Sequence, residues 1–165
     1  MQTTIHLPYD DSHLELRVPT ANLAAELTRP ASSDQSHDSL LSEERAIVGE
    51  ALLNPMDSPR LAHLAQNRDT IVIITSDHTR PVPSAITLPL LLEEIRKGNP
   101  QADITILVAT GLHRGMTHEE MVEKFGQKIV SSEKIVNHDS TDRSQLVNLG
   151  TLPSGSKCEI NRLAV

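Results

Sequence analysis

The sequence predicts an α/β fold: a parallel, Rossmann-like sheet preceded by a short β-hairpin. Three observations carry this. The runs TIVIIT at 70–75 and DITILVA at 103–109 are continuous, apolar and β-branched, the pattern of strands buried on both faces. The segment between them has apolar Ile86, Leu90, Leu91 and Ile95 at helical spacing and stops at Gly98. Strands alternating with helices imply right-handed βαβ units and hence a parallel sheet.

Taken in chain order, residues 3–7 and 13–18 read as two short strands joined by the turn chemistry of Pro8, Asp10 and Asp11. Leu14, Leu16 and Val18 point one way, and Glu15 and Arg17 the other. These strands and their connecting segment make up residues 1–29. Residues 30–41 are expected to be a polar linker with nothing to bury. The α/β domain is expected over 42–165. Its first helix is expected after Ser42 as cap, with Glu43 and Glu44 favoured in the first turn, and Asn54-Pro55 stops it. Thr117 opens another helix over 117–125, with Glu120 completing a capping box. Residues 134–138 are a third strand, and 159–165 read as the start of a further one. There is no internal repeat.

Composition narrows the function classes. The 165 residues are 38% hydrophobic and 22% charged, enough for one domain with its own core. Net charge is −7 with histidine neutral, and nucleic-acid binding rests on Lys and Arg. Tyr9 and Phe125 are the only aromatics, so no stacking platform for single strands exists. Neither a membrane-spanning run nor a signal-peptide pattern is present, so the expected compartment is the cytoplasm. Cys158 has no internal partner.

In an open parallel sheet, ligands bind beyond the carboxyl ends of the strands. Here these ends run into SDHTRP at 76–81, TGLHRG at 110–115, and His138-Asp139. Asp, Arg and His from distant parts of the chain should therefore meet at one edge. Plainer readings stand beside this one. Asp77 could cap its own loop with Arg80 as surface ion-pair partner, and His113 could be a solvated loop histidine. His118 reads as a first-turn helix residue. His113 and His118 are five apart and miss the one-face spacing of a helical metal pair. Gly111 and Gly115 read as conformational, since they form no GxGxxG or P-loop pattern. His6, His13, His37 and His63 read as surface or structural.

The segments SDHTRPVP at 76–83 and ATGLHR at 109–114 resemble the lactate racemase family that uses a nickel-pincer nucleotide. Asn137-His138-Asp139, Gly150-Thr151 and Glu159 through Arg162 extend the likeness, and Leu7-Pro8-Tyr9 fits the family's start. The resemblance implies the N-terminal domain of a two-domain isomerase. It would racemise a small 2-hydroxy acid by reversible hydride transfer to the cofactor, through a transient 2-oxo acid. His113 matches one of the family's two acid/base histidines. Arg80 matches an active-site arginine for a carboxylate or a cofactor phosphate, Asp77 the carboxylate beside it, and Thr79 lies within the same motif.

The family's cofactor lysine, nickel-ligand histidine and second acid/base histidine have no match here. The expectation is thus a truncated enzyme, inactive alone, with no metal ligand and no cofactor bound, whose partner is the missing C-terminal domain. The alternative is a stand-alone α/β module for a small carboxylate or nucleotide, pairing with a separately encoded C-terminal half.

Overall fold

A computed structural model describes residues 1–27 and 37–165. The chain divides into two compact units, Met1–Gln35 and Ser36–Val165.

The first unit is the expected hairpin. Strands β1 (Gln2–Tyr9) and β2 (Ser12–Pro19) pair antiparallel across a two-residue turn at Asp10-Asp11. Asp10 has φ 50°, a conformation that aspartate tolerates better than most residues. The register sets Ile5 opposite Leu16 and Leu7 opposite Leu14, and such apolar cross-strand pairs hold a two-stranded ribbon.

In the second unit the order is α1 (His37–Leu53), α2 (Leu61–Leu64), β3 (Thr70–Ser76), α3 (Ser84–Gly98), β4 (Asp103–Ala109), α4 (His118–Phe125), α5 (Gln127–Ser132) and β5 (Lys134–Asn137). A final hairpin follows, β6 (Leu146–Thr151) and β7 (Lys157–Asn161). Strands β3, β4 and β5 form a parallel sheet in that order. Both crossovers step the same way across the sheet. Right-handed connections then put their helices on one face. The core confirms it: Ile104, Ile106 and Val108 of β4 share one buried cluster with Leu88, Leu92 and Ile95 of α3, Phe125 of α4 and Ile129 of α5.

Four details differ from the sequence reading. Helix α1 begins at His37, so residues 37–41 are helical and Ser42 lies inside rather than capping. The polar residues His37, Asp38 and Ser39 suit a helix start as readily as a linker, which hid it. The remainder of the expected linker, 30–36, falls outside the described residues. Strand β3 is not buried on both faces. Among the described residues it is an outer strand, and Ile74 is 59% exposed, whereas Thr105 and Leu107 of the central strand β4 are buried on the second face. The buried stripe of α3 runs through Leu88, Leu92 and Ile95, while Ile86, Leu90 and Leu91 are only partly covered. Finally, β7 stops at Asn161. Its side-chain oxygen accepts from Leu163 N–H at 3.0 Å and starts a 3₁₀ turn, Arg162–Ala164, that approaches the second face of the sheet near β3.

The end of α3 is fixed by close contact with α2. Asn99 donates to the carbonyls of Ala65 and Arg68 at 3.2 and 2.7 Å. Glu94, 3% exposed, accepts from Arg60 at 2.7 Å and pairs with Lys97 at 3.3 Å, so its buried charge is compensated. Among the described residues no helix is long and apolar enough to cross a membrane.

A Cβ on Gly98 would sit 1.8 Å from the Ala62 carbonyl oxygen. That contact is with backbone and cannot be relieved by rotating a side chain. Gly98→Ala is therefore expected to destabilise the domain by about 1–3 kcal/mol, read as a lowered urea midpoint with an unchanged slope.

Candidate functional site

The register of β3 and β4 builds the site. Ser76 lies opposite Ala109, so Asp77 and Thr110 are the first residues past two adjacent strand ends. On the other side Val108 lies opposite Asn137, and His138 N–H reaches back to Val108 O at 2.9 Å. Three loops thus leave one edge side by side.

Asp77 is 2% exposed. Its Oδ1 accepts from Thr79 N–H at 3.1 Å and from the Thr79 hydroxyl at 2.6 Å. This Asx-type turn is why an aspartate followed two residues later by threonine suits the bend. The other oxygen, Oδ2, accepts from His113 Nδ1 at 2.6 Å. A carboxylate buried this deeply is tolerated only when hydrogen-bonded. The Thr79 hydroxyl first, and His113 next, outweigh the desolvation and hold the Asp77 carboxyl down at about 2.

His113 is placed by a turn in which its N–H donates to Thr110 O at 3.0 Å. Gly111 in that turn has φ 61°, where a side chain would be strained. An ionised carboxylate can only accept, so in the neutral imidazole Nδ1 carries the hydrogen and Nε2 the lone pair. The ring is 45% exposed. One ring nitrogen is anchored by a buried anion and the ring is otherwise half-exposed, an arrangement with which an imidazole can act as a base.

Helix α4 holds both loops from outside. Glu120 closes the predicted capping box with Thr117. The same carboxylate takes two hydrogen bonds from Arg114, at 2.8 and 2.6 Å, and lies 3.6 Å from His78 Nε2. Arg114 above all, then Thr117 N–H, holds its carboxyl down at about 2. One turn on, Lys124 Nζ donates to Arg80 O at 2.8 Å. Met116 and Asn137 exchange two hydrogen bonds, each 3.1 Å, that tie the His113 loop to β5. Sequence reasoning recognised Glu120 only as a cap, because the arginine and histidine it engages are assigned by tertiary contact.

Of the residues singled out from sequence, Asp77, Thr79 and His113 are brought into direct contact. Arg80 is not: it is exposed, and its guanidinium makes no hydrogen bond or ion pair among the described residues. It is therefore not the ion-pair partner of Asp77, a place taken by His113. An open cavity of about 510 Å³ lies between the second and third loops, lined by His113, Asn137, His138, Ser140, Thr141 and Gln145 among others.

The lactate racemase N-terminal domain model matches residues 9–165. The lactate racemase of Thermoanaerobacterium thermosaccharolyticum is 50% identical over 161 residues, covering 98% of this chain and 37% of that protein. The one from Lactiplantibacillus plantarum is 48% identical over 160 residues, covering 97% and 37%. Among solved structures, the lactate racemase apoprotein from T. thermosaccharolyticum superimposes with a TM-score of 0.82 at 48% identity, over 98% of this chain and 36% of that one. The chain thus spans a little over a third of the length of these relatives.

A depressed Asp77 pKa stabilises the fold above the unfolded value near 3.8, and that contribution is lost as pH falls toward about 2. Asp77→Asn is expected to cost on the order of 2 kcal/mol at pH 7. In urea titrations at stepped pH, the gap between variant and parent should narrow from about pH 4 downward. A gap independent of pH would contradict this account.

Proposed function

The chain belongs to the lactate racemase N-terminal domain family, and from that premise we propose that it carries one acid/base half of a 2-hydroxy-acid racemase site. The observation that carries the reading is the 2.6 Å contact between the buried Asp77 carboxylate and His113. Racemisation at C2 requires the hydroxyl proton to leave as the C2–H bond breaks and to return afterwards. In this reading His113 Nε2 takes that proton and gives it back. Asp77 fixes the tautomer and stabilises the imidazolium that forms. Thr79 keeps Asp77 turned inward.

Among the described residues Arg80 is a cation with no hydrogen-bond or ion-pair partner. A planar guanidinium with no internal partner suits a carboxylate or a phosphate, and the reading leaves both open: the substrate acid or a nickel-pincer nucleotide. Among the described residues no group of three His, Cys, Asp or Glu side chains could hold a metal ion. The acid–base step is the part of the reaction assigned to this chain, and nickel is assigned to the rest of a full-length enzyme acting in the cytoplasm. No cofactor is proposed to stay bound to residues 1–165 alone.

The test is made in a full-length lactate racemase containing this segment. His113→Ala should lower kcat by about 10²–10⁴-fold; it also strips the buried Asp77 Oδ2 of its partner and lowers the unfolding midpoint, so kcat is read well below that midpoint, where the variant is still folded. Arg80→Ala should instead raise KM or lower cofactor occupancy. A His113→Ala enzyme that racemises lactate at the parent rate would remove His113 from this role.

A further inference from the structure

The functional reading leaves two segments of family likeness unused, Asn137-His138-Asp139 and Glu159 through Arg162. The structure joins them. His138 Nδ1 lies 3.0 Å from Asn161 Nδ2, and the orientation of that amide can be worked out from its other partners. Asn161 is 7% exposed. Its Oδ1 accepts from Leu163 N–H at 3.0 Å, and its Nδ2 donates to Gln145 Oε1 at 3.2 Å. Gln145 is fixed in turn, since Oε1 accepts from Asp139 N–H at 3.2 Å and Nε2 donates to Asp142 at 3.3 Å. Two backbone N–H groups therefore anchor both amides. Turning Asn161 over would set its oxygen against Gln145 Oε1 and its NH₂ against Leu163 N–H. Asn161 Nδ2 must be the donor to His138, so His138 Nδ1 is the acceptor.

In the neutral ring the hydrogen then sits on Nε2. This is the opposite tautomer to His113, whose Nδ1 donates to Asp77. Both residues line the same cavity, and Thr110 links their loops. The Thr110 carbonyl accepts from His113 N–H, and its hydroxyl donates to the His138 carbonyl. Among the described residues no hydrogen bond uses His138 Nε2, and that atom is not among the buried polar atoms lacking a partner. It is not sealed from solvent.

We propose that His138 is a substrate-binding residue whose Nε2–H donates to a carboxylate oxygen of the 2-hydroxy acid held by His113. The inference rests on the acid/base reading of His113. The pair is complementary to that substrate class. His113 Nε2 offers a lone pair to the hydroxyl hydrogen. His138 Nε2–H offers a donor to the adjacent carboxylate, and a 2-hydroxy acid carries the two groups on neighbouring carbons. Two other charges belong to the lining, and the Asp139 carboxylate interacts electrostatically with His138. Arg114 is held by Glu120, and one oxygen of Asp139 is turned onto Thr141, accepting from its N–H at 2.8 Å and its hydroxyl at 2.7 Å. Asn161 is a positioning residue that acts through the His138 tautomer.

The experiment is long-range ¹H–¹⁵N NMR of the histidine rings in the 165-residue chain. His138 is expected to carry its hydrogen on Nε2, and Asn161→Asp to move it to Nδ1, because a carboxylate there accepts. Titration with L-lactate should shift both His113 and His138; propionate, which lacks the hydroxyl, should shift His138; 2-propanol should shift neither. His138→Gln should weaken the lactate affinity read at His113 by about tenfold. A hydrogen on Nδ1 of His138 in the parent chain would overturn the proposal, as would a His138 ring unmoved by both carboxylates. Lactate shifting His113 alone would overturn it and leave the acid/base reading intact. Carboxylates shifting His138 while lactate leaves His113 unmoved would count against the acid/base reading and overturn with it the proposal of a substrate shared by the two rings.

Discussion

A negative charge almost sealed from water governs this site. Asp77 sits one residue beyond a parallel strand, 2% exposed, and stays ionised because its two oxygens are divided between two loops. One oxygen is spent on Thr79 within its own turn, and the other on a histidine 36 residues further along. The division has a structural and a chemical result. The 76–83 and 110–116 segments cannot separate without exposing the carboxylate or stripping it of partners. The histidine cannot place its hydrogen elsewhere without losing the anion.

Support for this arrangement comes from elements that hold no reacting group. Glu120 on α4 grips Arg114 beside His113 and lies near His78 beside Asp77. Asn137 on β5 laces the His113 loop to the sheet through the Met116 backbone. The small side of Gly115 permits this, since a Cβ there would meet Asn137 Nδ2 at 2.9 Å. The terminal β6–β7 hairpin reaches the third loop through Asn161. The side chains that hold the loops around the cavity are thus spread over α4, β5 and β7.

How much of this was readable beforehand follows from the range of each interaction. The three parallel strands were legible, because apolar β-branched runs report burial locally. The Thr117–Glu120 cap was legible for the same reason. The exposed flank of β3 was not, since whether a strand is central or outermost depends on how many others join it. Topology put Asp77, Arg80 and His113 on one edge, but topology does not aim side chains. His113 turned toward Asp77, whereas Arg80, three residues from Asp77, turned to solvent. The bond between His138 and Asn161 spans two segments whose family likeness was visible and whose connection was not.

The position of β3 has one more consequence. TIVIIT is the most strongly β-forming stretch of the chain and has no charged residue. Among the described residues, β4 alone pairs with it in the sheet, so its outer row of amides and carbonyls is unpaired. Proteins ordinarily guard such a margin with lysine, proline or a bulge, and none interrupts residues 70–75. At high concentration the 165-residue chain would accordingly tend to self-associate through strand addition at this margin, a colloidal property set by sheet order and separate from its chemistry.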